Sequence, residues 1–397
     1  MGRYSLPKGF LASGVHCGIK RFKKDLTLIY SRTGCKAAAL FTKNKVKAAP
    51  LLVSKSVLAN ARPIRAIIVN SGNANCCTGW YGARDAKRMI NAVCKNMPLK
   101  FNNVLVSSTG IIGQRLQVEL IEGAVPKLVK LLSEKGLMSA AKGILTTDRR
   151  VKIAVEKFNI GQKQVTVSGF AKGAGMVHPN MATLLSFVMT DAKIDKDALK
   201  SALKEACDES FNAITVDGDM STNDTLTIMA NGLAGNKNIK RKTREYAVFL
   251  KALKTVMFKL AKGIVEDAEG ATKFVTVHVK SAGSVKDAQK VARAVATSCL
   301  VKTSLYGENP NWGRIASATG ASGVQNIKPK KIEIHLDGVS VFKGGRFVGH
   351  SKEKLHRLYK KKNIVITVSL NRGNKEAKIW TCDLSKRYVE INSHYMT

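Results

Sequence analysis

Apolar and polar positions follow the periods of strands and helices along almost the whole chain. Short apolar runs bounded by polar turns predict strands over residues 66–70, 183–189, 274–279, 331–335 and 364–370. Apolar residues at helical spacing predict helices over residues 85–96, 197–211, 243–261, 285–305 and 352–362. Residues 151–160 and 163–170 add two strands that join at Gly161 as a hairpin. This alternation predicts an α/β protein.

Domain boundaries are weakly marked, and the pattern contains no internal repeat or low-complexity tract. The best candidate lies near residues 281–285, where Ala-Gly-Ser separates a predicted strand from a long helix. We therefore expect a C-terminal subdomain from about residue 282. The sequence contains neither a dinucleotide-binding fingerprint nor a Walker loop.

The charge balance is strongly basic. Among 397 residues, 66 lysines and arginines face 28 acidic residues, which leaves a net charge of +38. Residues 1–100 hold 19 basic side chains and 2 acidic ones, Asp25 and Asp85. Such a field attracts nucleic acid, anionic membranes or phosphate-bearing small molecules. Because the basic residues are scattered among the predicted core elements, we interpret the surplus as a lysine bias of solvated faces.

The remaining composition indicates a folded, non-secreted protein. Hydrophobic residues make up 45% of the chain, more than a disordered polycation would carry. The N-terminus lacks the apolar core of a signal peptide, and no apolar run reaches membrane-spanning length. The 8 cysteines form no C-x-x-C pair and the 7 histidines no H-E-x-x-H motif. We expect a cytoplasmic protein without membrane association, metal site or disulfide framework.

Four stretches are rich in Gly, Asn, Ser and Thr and border apolar strands, so we expect them to be loops rather than core elements. They cover residues 70–79, 107–113, 172–183 and 216–225. Each alone is typical of a tight turn. Four in one chain favour loops gathered around a polar site.

The third stretch suggests nucleophilic chemistry. Residues 172–183 lead through Lys172, two glycines and the rigid pair His178-Pro179 to the small Ala182 and then Thr183. A threonine hydroxyl needs an adjacent base to become a nucleophile. A cut before Thr183 would supply one, since the new α-amine has a pKa of about 8. A buried threonine that simply begins a strand is the alternative at this point.

Residues 172–185 (KGAGMVHPNMATLL) resemble the self-cleavage segment of the arginine-biosynthesis N-acetyltransferases, the glutamate N-acetyltransferases also called ornithine acetyltransferases. Supporting stretches follow in the family's order from about residue 5 to the end of the chain. They cover residues 41–50, 70–79, 108–113, 146–148, 217–225, 269–273, 301–303, 309–314 and 388–392. So long a series of matches is far more specific than any single motif.

The resemblance implies a layered α/β fold with mixed sheets and two substructures that share one active-site cleft. It implies self-cleavage between Ala182 and Thr183, giving an α chain of residues 1–182 and a β chain of residues 183–397. Thr183 would take an acetyl group from N2-acetylornithine and pass it to glutamate in a ping-pong cycle. No bound cofactor is implied. Bifunctional members also use acetyl-CoA as the acetyl donor, and no motif here separates the two kinds.

Roles for individual residues also follow from the resemblance. Thr109, through its hydroxyl, and Gly110, through its backbone N–H, would form the oxyanion hole, where donors stabilise the tetrahedral intermediate. Substrate contacts would come from Thr146, Lys172, Thr183, Glu269, Asn392 and Thr397. In this set a lysine can pair with an amino-acid carboxylate and a glutamate with an ammonium group.

The sequence departs from the family pattern in two ways, and three further groups of residues could suggest other chemistry. Arg149-Arg150 stand where the family usually continues Thr-x-Pro after residue 148, and the +38 charge is unusual for it. The adjacent Cys76 and Cys77 could suggest a thiol nucleophile, but no histidine is patterned near them. We expect His178 to hold the loop that presents Thr183, and the aspartates of residues 217–224 to cap turns rather than bind a metal.

Two other functions stay open at this point. One is an N-terminal-nucleophile amidase or aminopeptidase that releases the acyl group to water. The other is a nucleic-acid-binding protein, which the charge favours but the 6% aromatic content and the lack of recognition motifs disfavour. For assembly, the resemblance implies α and β chains associated into heterotetramers or larger complexes.

Overall fold

The computed structural model describes residues 4–178 and 184–394, which belong to two compact units. The first unit contains the residues up to 212 together with 219–264. The second contains residues 213–218 and the chain from 265 onward. Each unit has its own sheet and its own apolar core. The predicted α/β fold with mixed sheets is confirmed.

The first unit is built on an eight-stranded sheet. Its strands are β1 (Phe10–Val15), β2 (Leu26–Phe41), β3 (Ile64–Asn73), β4 (Val104–Ile111), β5 (Lys152–Ile160), β6 (Lys163–Lys172), β7 (Leu185–Thr190) and β8 (Thr225–Ala230). The order is β4-β3-β2-β8-β7-β6-β5, with β1 beside β2. The pairs β3–β4 and β7–β8 are parallel, and the other pairs are antiparallel. The long β2 joins the two halves, because residues 26–30 pair with β3 and residues 36–41 with β8.

Helices of the first unit cover its sheet. They are α1 (Ala49–Ala59), α2 (Gly79–Asn96), α3 (Val118–Lys130), α4 (Leu137–Gly143), α5 (Lys196–Asp208) and α6 (Arg244–Glu266). The first four pack against β1–β4, and α5 packs against β2. The apolar residues that predicted α2, among them Met89 and Ile90, are fully buried. Helical spacing therefore identified the buried face of α2 directly from the sequence.

Two stretches expected to be loops are partly strand, so that prediction is wrong for them. Residues 70–73 complete β3 and residues 107–111 complete β4. In β3 the buried side chains of Asn70 and Ser71 donate hydrogen bonds to backbone carbonyl oxygens. Asn70 donates to the Asn73 carbonyl oxygen at 2.9 Å, and the Ser71 hydroxyl donates to the Gly143 carbonyl oxygen at 2.7 Å. Buried polar strand ends thus bring hydrogen-bonding groups to one edge of the sheet.

The second unit contains a six-stranded sheet and five α-helices among the described residues. The strands are β9 (Phe274–Ala282), β10 (Glu333–Leu336), β11 (Val339–Lys343), β12 (Arg346–Phe347), β13 (Asn363–Ser369) and β14 (Lys375–Cys382). The helices are α7 (Val285–Thr297), α8 (Cys299–Tyr306), α9 (Trp312–Gly320), α10 (Lys352–Tyr359) and α11 (Lys386–His394). The strand order is β12-β11-β10-β13-β9-β14, with only β9 and β13 parallel.

Two predictions about this unit are wrong. The expected subdomain start near 282 falls inside the unit, because residues 283–284 form a short connection and α7 packs back on β9 and β14. The single helix expected over 285–305 is two helices. Ser298 between them has an extended backbone, and its side chain accepts the Val301 N–H at 3.3 Å as the N-cap of α8. Among the described helices, none has both the length and the apolarity to cross a membrane.

Candidate active site

Thr109 and Gly110 lie at the polar end of β4. Thr109 is buried, and Gly110 is paired with Gly72 of the parallel strand β3. Gly110 has a φ of +133° and Gly72 a φ of +103°, a backbone region that side chains rarely adopt. A Cβ atom on Gly110 would lie 2.3 Å from the carbonyl carbon of Gly72. A glycine is required here, and any contact that Gly110 makes with a ligand comes from its backbone.

Asn223 ties these strand ends together, and sequence reasoning missed its role. Its side-chain amide donates to the carbonyl oxygens of Ala74, at 2.7 Å, and Ser108, at 2.8 Å. The amide is buried and bridges the chain after β3 to the residue before Thr109. Asn223 lies in the polar stretch of residues 216–225. The composition of that stretch predicted a polar loop, but nothing in the sequence singled out Asn223. One buried amide thus sets the spacing of the two segments.

Lys172 and Thr146, two of the predicted substrate-binding residues, are in contact. Lys172 ends β6, and its ammonium nitrogen donates to the Thr146 hydroxyl at 3.0 Å. Lys172 is buried, whereas Thr146 is half-buried. The Thr146 N–H donates to the carboxylate of Asp148 at 3.1 Å, which fixes the turn between them. A buried lysine beside a hydroxyl suits the binding of a carboxylate.

Asp148 organises this cationic region. The carboxylate is buried, accepts the Gly173 N–H at 2.8 Å and forms an ion pair with the buried Lys152. Lys152 also donates to the Gly173 carbonyl oxygen at 3.2 Å. Burial alone would raise the pKa of Asp148, but the charges of Lys152 and Lys172 and these hydrogen bonds lower it to about 2. The carboxylate is therefore ionised at neutral pH and stabilises the lysines around it.

The second unit contains the other two described candidates, Glu269 and Asn392. The Asn392 amide donates to the Glu269 carboxylate at 2.9 Å, and Glu269 is buried. The loop after Glu269 is anchored by Asp383, which accepts hydrogen bonds from the Thr272 N–H at 2.8 Å and the Lys273 N–H at 3.0 Å. A carboxylate and an amide oxygen are both acceptors suited to an ammonium group.

The remaining candidates have different outcomes. The cleavage residues Ala182 and Thr183, with Pro179 and Thr397, lie outside the described residues. Asp217 accepts a hydrogen bond from the Tyr388 hydroxyl at 3.2 Å. In the described part of the chain, no group of three or more His, Cys, Asp and Glu side chains could hold a metal ion.

Cys76 and Cys77 do not resemble an activated thiol site. Their sulfur atoms are 3.8 Å apart, and Cys76 is buried. Burial raises the pKa of the Cys76 thiol, which disfavours the thiolate that a nucleophile needs. Arg149 and Arg150, the departures from the family pattern, are exposed and leave the Thr146–Asp148 hydrogen bond in place.

In the first unit, the fold and these residues define a class of α/β enzyme. Its features are the closely packed Gly110 at the end of β4 and the buried Lys172 beside the Thr146 hydroxyl. The family model described as the ArgJ family matches residues 11–397. The chain belongs to the ArgJ family.

Curated relatives agree over the full length. The chain is 45% identical over 397 residues to the arginine biosynthesis bifunctional protein ArgJ of Thermotoga neapolitana, covering 99% of this chain and 100% of that protein. It is 44% identical to the mitochondrial ArgJ of Dictyostelium discoideum, covering 98% and 93% respectively. A crystal structure of ArgJ from Bacillus halodurans is 42% identical, with a TM-score of 0.51, and covers 53% of this chain and 98% of that chain. Two predictions are thereby confirmed: the family, and the function as an acyltransferase of arginine biosynthesis.

Proposed function

We propose that the protein transfers the acetyl group of N2-acetylornithine to glutamate through an acetyl ester on Thr183, after self-cleavage between Ala182 and Thr183. The observation that carries this proposal is the 3.0 Å contact between the buried Lys172 ammonium and the Thr146 hydroxyl. It brings together a cation and a hydroxyl from separate segments, which supports a role for the pair in binding the carboxylate of an amino-acid substrate. Full-length membership of the ArgJ family supports the same chemistry.

The first half-reaction acylates the enzyme. The Thr183 hydroxyl attacks the acetyl carbonyl carbon, and the α-amine of Thr183 takes the hydroxyl proton. The negative charge that develops on the carbonyl oxygen is stabilised by the Thr109 hydroxyl and the Gly110 N–H. The C–N bond to ornithine then breaks, and the proton moves to the leaving amine.

The second half-reaction returns the enzyme to its starting state. The amine of glutamate attacks the ester carbonyl of acetyl-Thr183, and the same donors stabilise the second oxyanion. The ester C–O bond breaks, the Thr183 oxygen regains a proton, and N-acetylglutamate leaves. Because Thr183 itself carries the acetyl group, the cycle needs no resident cofactor. Glu269 and Asn392 would bind the ammonium group of ornithine, and Thr397 would complete the substrate contacts.

We also propose that acetyl-CoA serves as a second acetyl donor, since the curated relatives are named bifunctional. In this activity the thioester acylates Thr183 and free CoA leaves. Acetylglutamate formation with acetyl-CoA as the only donor tests the claim, and no product would contradict it. The α and β chains would form heterotetramers or larger complexes, and a cytoplasmic location stays a prediction.

The decisive experiment compares the wild type with Thr183→Ala by intact mass and by acetyl transfer. We expect two fragments and activity from the wild type, and one uncut, inactive chain from the variant. An uncut wild type that still transfers acetyl groups would contradict the mechanism. Acetate release that glutamate does not reduce would instead indicate the amidase.

A further inference from the structure

Lys20 lies in the turn between β1 and β2, and its backbone is rigidly held. The buried carboxylate of Asp25 accepts the backbone N–H groups of Cys17, Gly18 and Lys20 at 2.6, 3.2 and 2.9 Å. The carbonyl oxygen of Asp25 accepts the Ser71 N–H at 2.8 Å, which attaches the turn to β3. One buried aspartate therefore fixes the position from which the Lys20 side chain extends.

The Lys20 side chain lies between the two parts of the site in the first unit. It crosses Gly72, where a Cβ atom would lie 2.9 Å from Lys20 Cγ. Its ammonium nitrogen reaches the carbonyl oxygen of Leu145 at 2.8 Å. Gly72 is the strand partner of Gly110, and Leu145 immediately precedes Thr146. Lys20 therefore connects the Gly72–Gly110 strand pair to the segment that carries Thr146.

The Lys20 ammonium has capacity for a ligand. A lysine ammonium has three N–H donors. Within residues 4–178 and 184–394, the Leu145 carbonyl oxygen is its one hydrogen-bond acceptor. The side chain is half-buried. Two donors are thus available to a bound molecule.

The surroundings of Lys20 combine charges of both signs. Burial, more than any neighbouring charge, lowers the pKa of Lys20 to about 8. Asp25 and Asp148 favour its charge, whereas Lys23 and Lys172 oppose it. At neutral pH the ammonium form predominates, and it is lost more readily than that of an ordinary lysine.

We propose that Lys20 is a second carboxylate-binding residue of this active site, which holds the side-chain carboxylate of glutamate and sets the preference for a dicarboxylic acceptor. The inference rests on the proposed function, in which Lys172 binds the other carboxylate. One ammonium group cannot serve two carboxylates at opposite ends of the acceptor, and Lys20 is a second ammonium group close enough to Lys172 for the two charges to interact.

The two substrates differ in the charge of their side chains. N2-acetylornithine has one carboxylate and a side-chain ammonium, whereas glutamate has two carboxylates. A charged Lys20 attracts the second carboxylate and repels the ammonium.

The test measures each half-reaction on the full chain with Lys20→Met, Lys20→Arg and Lys23→Met. Lys23 is exposed and belongs to the same turn, so its variant removes the same charge outside the site. We expect Lys20→Met to raise the KM for glutamate roughly 10- to 100-fold, the range for a charged hydrogen bond. The KM for acetylornithine should change less than about threefold, and Lys23→Met should behave as the wild type.

The pH profile separates binding from a structural role. In the wild type, the KM for glutamate should rise as pH increases through about 8, since Lys20 loses its charge there. In Lys20→Arg this rise should disappear, with melting temperature unchanged. Equal changes in both KM values in Lys20→Met, or none, would overturn the inference. Absence of transfer by the wild type would instead reject the proposed function.

Discussion

Gly110 lies so close to the Gly72 backbone across β3 and β4 that β4 cannot carry a side chain at this position. A Cβ atom on Gly110 would lie 2.3 Å from the Gly72 carbonyl carbon and 2.5 Å from the Asn73 nitrogen. A contact below 3 Å with backbone cannot be relieved by rotating a side chain. The two glycines therefore position the backbone that follows Thr109.

Gly110→Ala is expected to reduce acetyl transfer at least roughly 100-fold, because it displaces one oxyanion donor. Gly113→Ala is the matched control. Gly113 also has a left-handed φ, +82°, but a Cβ atom added there would have no neighbour within 4 Å. We expect this control to lose about 1 kcal/mol of stability and retain most activity. Similar kcat values for the two variants would contradict the role of close approach.

Thr109→Ala should lower kcat about 100- to 1,000-fold through loss of the hydroxyl donor. Thr109→Ser keeps the hydroxyl and should recover much of the rate. Steady-state kinetics and thermal melting check this together. A fall in melting temperature that accounted for the lost activity would indicate a structural role instead.

Lys152→Met should destabilise the first unit by about 3 kcal/mol, because it leaves the buried Asp148 carboxylate without its ion-pair partner. The control is Lys259→Met, which removes an exposed pair with Glu156 at 3.1 Å. That pair should contribute less than about 1 kcal/mol. Urea unfolding measures both, and equal losses would argue against the role of burial.

The stability supplied by ionised Asp148 should depend on pH. Its pKa falls from an ordinary 3.8 to about 2 in the folded protein, so the carboxylate contributes stability above pH 3.8. The contribution is lost as pH decreases towards 2. The stability difference between wild type and Asp148→Asn should therefore shrink over this range. Unfolding free energies measured from about pH 6 down to about pH 2 test it, and a constant difference would contradict the pKa shift.

Asp383→Ala should raise the KM for N2-acetylornithine several-fold, because the carboxylate anchors the loop that carries Glu269. Asp337→Ala removes a comparable anchor in the same unit, where Asp337 accepts the Val365 N–H at 2.7 Å. That control should affect stability alone. Equal KM values for the two variants would show that anchoring by Asp383 does not position Glu269.

The spacing of apolar residues and of turn glycines predicted correctly those helices and strands that are specified by residues close together in the sequence. The buried face of α2 and the β5–β6 hairpin at Gly161 follow from helical spacing and from a turn glycine. The same reasoning failed where polar residues are buried. Ser71 has the composition of a loop, and its partner elsewhere in the fold, the Gly143 carbonyl oxygen, allows its hydroxyl to be buried in a strand.

The sequence by itself determined the family, the α/β class and most candidate residues, since a long ordered series of motifs is specific. Only the tertiary structure decided which side chains meet. Lys172 reaches Thr146, Asn223 bridges the ends of β3 and β4, and Lys20 reaches Leu145. These contacts join residues far apart along the chain, and no periodicity encodes them. Lys20 is one of the 19 basic residues in the first hundred. Only its contacts in the fold, with Gly72 and Leu145, distinguish it from the others as a candidate binding residue.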